Sequence, residues 1–146
     1  VTAFPPRALF IMGAVREQGQ INSFTFTNNL VSTGVVEIVP VGGGARDCAF
    51  QPEKQTPTGV LSACFTKYTF SNNVIVGSRG GWPRGNFYPS DQAAAGVVGF
   101  SEGRYRLCRE KGGECKKPSP AAKGGADGKD VGADVEAVFS ATKGVE

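Results

Sequence analysis

Hydrophobic and polar positions alternate along this chain in short stretches that change phase often, with turn residues between them. Phe24-Thr25-Phe26-Thr27 sets aromatic side chains against hydroxyl side chains on opposite faces of an extended segment. The adjoining Asn28-Asn29 reads as a turn, because asparagine tolerates left-handed backbone geometry and hydrogen-bonds its neighbours. Carried through the turn, the alternation puts Phe24, Phe26 and Asn28 on one face and Thr25, Thr27 and Asn29 on the other. The unit Phe24-Thr25-Phe26-Thr27-Asn28-Asn29-Leu30-Val31 returns 44 residues later as Tyr68-Thr69-Phe70-Ser71-Asn72-Asn73-Val74-Ile75, matched in type at every position. Equivalent positions of such a repeat stack on one another, Phe on Phe in a core and Asn on Asn as an amide ladder at a corner. The period fits two coils of about 22 residues or one coil with an insertion. Segment 42–64, rich in Gly, Pro and Thr, is read as that insertion.

Further strands are predicted at 8–12, 35–41, 97–100 and 105–108, and glycine-rich loops at 77–92 and 109–130. The one helical pattern is 134–142, where Val135, Val138 and Phe139 share a face. Asp134 and Glu136 suit its first turn, and Gly144 can stop it.

Composition narrows the classes. The 146 residues fit one domain, and 21 glycines with nine prolines favour short strands joined by turns. No apolar run approaches the roughly 20 residues of a membrane-spanning helix. The net charge of +3 is mild, and the basic residues are scattered or concentrated in 104–123 without dense aromatic interleaving, so a nucleic-acid partner is not expected. Histidine is absent, which removes Ser-His-Asp and Cys-His catalysis and every His-containing metal site. The four cysteines lack CxxC spacing and read as two local disulfides, Cys48 with Cys64 and Cys108 with Cys115, in an oxidising compartment. Three connectivities remain formally open, as do four free thiols. The opening Val1-Thr2-Ala3-Phe4-Pro5-Pro6 has neither a basic n-region nor an apolar h-region, and reads as the interior of a longer chain.

The Phe-Thr-Phe-Thr-Asn-Asn unit, the loop Trp82-Pro83-Arg84-Gly85-Asn86-Phe87 and the tail element Asp130-Val131-Gly132-Ala133-Asp134 carry a resemblance. Together they resemble the C-terminal part of secreted bacterial right-handed parallel β-helix proteins of the pectate-lyase-like superfamily. The resemblance implies an all-β fold: a right-handed parallel β-helix solenoid of few coils, with a C-terminal cap and one short helix. It implies a single domain over 1–146, a C-terminal fragment, with 109–146 as the capping tail. It does not imply a reaction, since that superfamily hosts lyases, hydrolases and adhesins.

Three groups of residues can carry chemistry. Asp127, Asp130 and Asp134 offer oxygens to calcium, though they lack EF-hand spacing and suit turns and a helix start better. Arg79, Arg84 and Asp91, in loop 77–92, are the candidate catalytic set for sugar cleavage, against the simpler reading of a solvated loop. Trp82, Phe87 and Tyr88 in that loop can stack on sugar rings or fold inward onto the core. Gly42-Gly43-Gly44-Ala45-Arg46 lacks the Lys-Ser/Thr of a phosphate-binding loop. The reading that follows is a secreted or periplasmic, non-catalytic scaffold that contacts polysaccharide. A polysaccharide lyase or glycoside hydrolase is the alternative. A self-assembling protein, forming a homo-oligomer through an uncapped N-terminal coil, is the third class.

Overall fold

The computed structural model describes residues 1–14, 18–41, 44–50 and 56–144. Seven short strands come first: β1 (Thr2–Ala3), β2 (Ala8–Met12), β3 (Phe24–Thr27), β4 (Leu30–Ser32), β5 (Val36–Pro40), β6 (Tyr68–Ser71) and β7 (Val74–Val76). Helix α1 (Pro57–Cys64) interrupts them before β6. Then follow α2 (Gln92–Ala95), β8 (Val97–Val98), β9 (Arg106–Leu107) and α3 (Val135–Thr142). The early strands pair in parallel, in the orders β1-β4-β7, β2-β5 and β3-β6, while β8 and β9 form an antiparallel pair.

The two copies of the repeat lie side by side in register, Phe24 beside Tyr68, Phe26 beside Phe70 and Leu30 beside Val74. Ring stacking follows from that register. Phe26 and Phe70 lie 5.3 Å apart at 24°, and Trp82 continues the stack on Phe70 at 5.0 Å and 14°. The asparagines form the expected ladder, but with a change of face. Asn28 and Asn72 take left-handed φ values of 59° and 55°, which ends the strand alternation and swings the next residue inward. Asn29 and Asn73, not Asn28, are therefore the buried rungs. Asn29 Nδ2 donates to Asn73 Oδ1 at 2.9 Å, and Asn73 Nδ2 donates to Asn86 Oδ1 at 2.8 Å.

The β1-β4-β7 sheet is covered on both faces. Val31 and Ile75 face a cluster that holds Ile38, Val60, Leu61, Phe70 and Trp82. Leu30, Val74 and Val76 face a second cluster with Ala95, Val97, Leu107, Ala121 and Val131. Two-sided burial explains the unbroken apolar run Val74-Ile75-Val76 where alternation stops.

The expected right-handed β-helix solenoid is not what forms. Paired strands are separated by unequal paths: Thr2 lies beside Leu30 and Ala8 beside Val36, but Phe24 lies beside Tyr68. The next partner of Val74 is Phe87, only a short loop away. Without a constant repeat the coils do not close, and the sheets stop at two or three strands. Helices fill the remaining paths, so the all-β description is also corrected. Within 42–64, residues 42, 43 and 51–55 lie outside the described residues, and the rest holds α1. Thr56 caps α1, its hydroxyl accepting from Gly59 N at 3.1 Å, and Pro57 fits the first turn, where no amide hydrogen is needed.

Both cysteine pairs are bonded, Cys48 to Cys64 and Cys108 to Cys115. The first ties the segment after β5 to the end of α1 within the larger cluster. Among the described residues, no helix is long and apolar enough to cross a membrane. The tail 119–134 runs along one corner of the sheets. Asn72 Nδ2 donates to Gly124 O, Ala126 N to Asn28 Oδ1 and Ala133 N to Thr2 Oγ1.

Candidate functional site

Between that tail and the β8–β9 pair lies a cleft of about 720 Å³, a size common for small-molecule and sugar sites. One wall is Tyr105, Arg106 and Leu107 with the rim of the Cys108–Cys115 loop, and the other runs from Lys123 to the first turn of α3. Local sequence explains each wall. Gly96 ends α2 in a left-handed conformation, and a side chain there would sit 2.8 Å from Ser119. The glycine thus lets the chain that leads into the tail lie against α2, where Ser119 Oγ donates to Ala95 O at 2.6 Å. Tyr105 holds φ at 47°, a conformation that costs a bulky residue about 1 kcal/mol or more. Its ring compensates by packing between Phe4, centroids 5.4 Å apart, and Phe100 at 5.5 Å. Non-glycine strain of this kind gathers at functional sites.

The charges of the cleft are tied together. Arg109 Nε donates to Asp130 Oδ2 at 2.9 Å, and Lys123 N donates to the other oxygen of the same carboxylate at 3.0 Å. That carboxylate pushes the Arg109 guanidinium further toward its protonated form. Arg106 Nη1 reaches Glu136 Oε1 on α3 at 3.1 Å. Glu114, at the disulfide loop, meets Arg104, which also pairs with Glu102.

The three aspartates proposed for calcium all line this cleft. Asp127 Oδ1 accepts from Lys129 N in a turn, Asp130 holds Arg109 and Lys123, and Asp134 caps α3 by accepting from Ala137 N. Among the described residues, no group of three or more acidic or cysteine side chains is placed to hold a metal ion.

Loop 77–92 is used differently by each of its candidates. Trp82 is 7% exposed and stacked in the core, and Phe87 packs against the second cluster. Tyr88 remains at the surface with its hydroxyl on Pro83 O, and partial burial raises its pKa. Arg79 is anchored to β5: its backbone amide donates to Glu37 Oε1 at 2.7 Å and its Nη2 to Val35 O at 3.3 Å. It lines a separate cavity of about 420 Å³ beside α1. Asp91 is the N-cap of α2, and the Ala94 amide, followed by the Ser90 hydroxyl, holds its carboxyl below the usual value. Arg84 and Asp91 line neither this cavity nor the cleft, so the structure does not gather the three into one site.

Tyr105, Arg106, Arg109 and Lys123, which shape the cleft, were not marked as site residues by sequence reasoning, and Glu136 was read only as part of the first turn of a helix. No local motif joins them, because residues 105–109 meet 123–136 only through the path of the tail. No protein-family model, curated protein or solved structure matches the chain, so the site is read from its geometry.

Proposed function

We propose that the chain is a non-catalytic module of a secreted or periplasmic protein and contacts polysaccharide through the cleft between the β8–β9 pair and the tail. The observation that carries this reading is the lining itself. Guanidinium and carboxylate groups are held in fixed pairs around a space of about 720 Å³. Such a surface offers donors and acceptors together, as sugar hydroxyls require, since each hydroxyl both donates and accepts. Arginine does not give up its proton, and each carboxylate that holds one is engaged on at least one oxygen, so the pairs suit binding better than general acid–base work. The two disulfides fit an oxidising compartment.

The test is retention of the purified chain on immobilised polysaccharides, with reducing-end release measured in parallel. Binding without product is expected, and Arg109→Ala should weaken it about tenfold, roughly the loss of one charge-assisted hydrogen bond. Sugar release from any polymer, or binding that Arg109→Ala leaves untouched, counts against the reading.

A further inference from the structure

We propose that the cleft selects uncharged sugar chains over acidic ones, an inference that rests on the carbohydrate reading above. The chain as a whole carries +3, and its surface would by itself draw acidic polymers. The cleft departs from that average. Its walls hold two arginines and two lysines against five carboxylates, which leaves the lining one negative charge in excess.

What decides the preference is how the cations are used. Arg106 and Arg109 are each closed onto a carboxylate, Glu136 at 3.1 Å and Asp130 at 2.9 Å. Asp130 is the less exposed partner, 20% against 66% for Arg109, and its second oxygen is taken by the Lys123 amide, so the carboxylate stays in the cleft even when the exposed guanidinium moves. A uronate entering the cleft would have to displace one of these carboxylates or sit beside it. Either choice brings like charges within a few ångströms, at a cost of about 1 kcal/mol in water and more where water is thinned out. Lys123 and Lys129 are exposed, so water and salt screen the attraction of their ammonium groups for an acidic chain, while their backbone amides serve the turn carboxylates. A neutral hydroxyl meets no such conflict. It can donate to a lone pair that a paired carboxylate still has free and accept from a guanidinium N–H that the pair leaves unused. The same arrangement predicts weak dependence on salt, because no counterions are released when an uncharged chain binds.

The experiment titrates the intact, oxidised chain with soluble polymers by calorimetry: a β-glucan, a galactomannan, a polyuronate and a sulfated galactan. Each titration is run at about 50 mM and about 500 mM NaCl, a range over which screening of exposed charges becomes severe. At least one uncharged polymer should bind with a Kd that changes less than about twofold between the salts, and both acidic polymers should bind about tenfold more weakly. Glu136→Gln, which frees Arg106, should shift the ratio of polyuronate to neutral affinity several-fold toward the polyuronate. Circular dichroism with a thiol count verifies that the variant is folded and oxidised. Tighter binding of the polyuronate or sulfated galactan, with steep salt dependence, overturns the selectivity and leaves the carbohydrate reading standing. So does a Glu136→Gln ratio that does not move. Absence of binding to every polymer overturns the carbohydrate reading, and the selectivity falls with it.

Discussion

Asn73 shows how much can depend on one amide. It is fully buried, and all of its polar atoms are used. Oδ1 accepts from Asn29 N and Nδ2 at 2.9 Å, and Nδ2 donates to Phe26 O at 2.9 Å and to Asn86 Oδ1 at 2.8 Å. A buried amide is tolerated only when it is satisfied in this way. Asn73→Ala removes four hydrogen bonds and strips the buried Asn29 amide of its partner, while Asn86 Oδ1 keeps the backbone amide of residue 73 and Asn29 Nδ2 keeps Thr27 O. The expected destabilisation is about 3 kcal/mol, since each orphaned buried group costs about 1–3 kcal/mol. Urea denaturation would read it as a lower midpoint with an unchanged slope. A loss below about 1 kcal/mol would show that solvent or local rearrangement replaces the ladder.

At the scale of elements, the short helices depend on their caps. With four residues, α2 has almost no hydrogen-bonding of its own, and Asp91 Oδ1 accepting from Ala94 N at 2.7 Å supplies its start. The Asp91 carboxyl is held below its ordinary pKa in the folded chain, chiefly through that amide and secondarily through Ser90. A carboxyl with a depressed folded pKa adds stability that is complete above its ordinary value and is lost as the pH falls through the folded value. The α2 turn should therefore loosen on acidification below the ordinary aspartate range. The amide resonance of Ala94 should titrate with a midpoint lower than that of an unperturbed aspartate, and Asp91→Asn should abolish the transition. Helix α1 illustrates what a cap signal conveys when it is weighed. Thr56-Pro57 marks a helix start, and Val60, Leu61 and Cys64 fall on one face, yet the glycine and threonine content of 42–64 masked the pattern.

For the molecule as a whole, the two disulfides divide stability from site. Cys48–Cys64 closes 16 residues within the larger cluster. Replacing both cysteines by serine should cost about 3 kcal/mol by loop-closure entropy. Cys108–Cys115 closes only seven and shapes the cleft rim. Its removal should cost less stability but weaken polysaccharide retention more. Thermal melts of the two double variants, set beside their retention on the same polymer, check the division. Equal effects on both measurements would show that rim and core are not separable.

The sequence by itself determined what depends on nearby residues and on a repeat. It set the strands around 24–31 and 68–75, the asparagine turns, the Phe stack and the amide ladder, a preference for local cysteine pairs, and the closing helix begun by Asp134. Each of these follows from alternation, left-handed tolerance or short spacing, which are local properties. Tertiary structure decided how the coils are completed and where the cleft lies. Unequal paths between paired strands are invisible to a period read from one matching pair, so the solenoid expected from 44-residue spacing did not close. The choice of Asn29 over Asn28 as the buried rung turned on a single backbone rotation that alternation does not encode. The pairing of Arg106 with Glu136 and of Arg109 with Asp130 required the tail to fold back across the sheets, an outcome of burying Ala121 and Val131 rather than of any motif around the charges themselves.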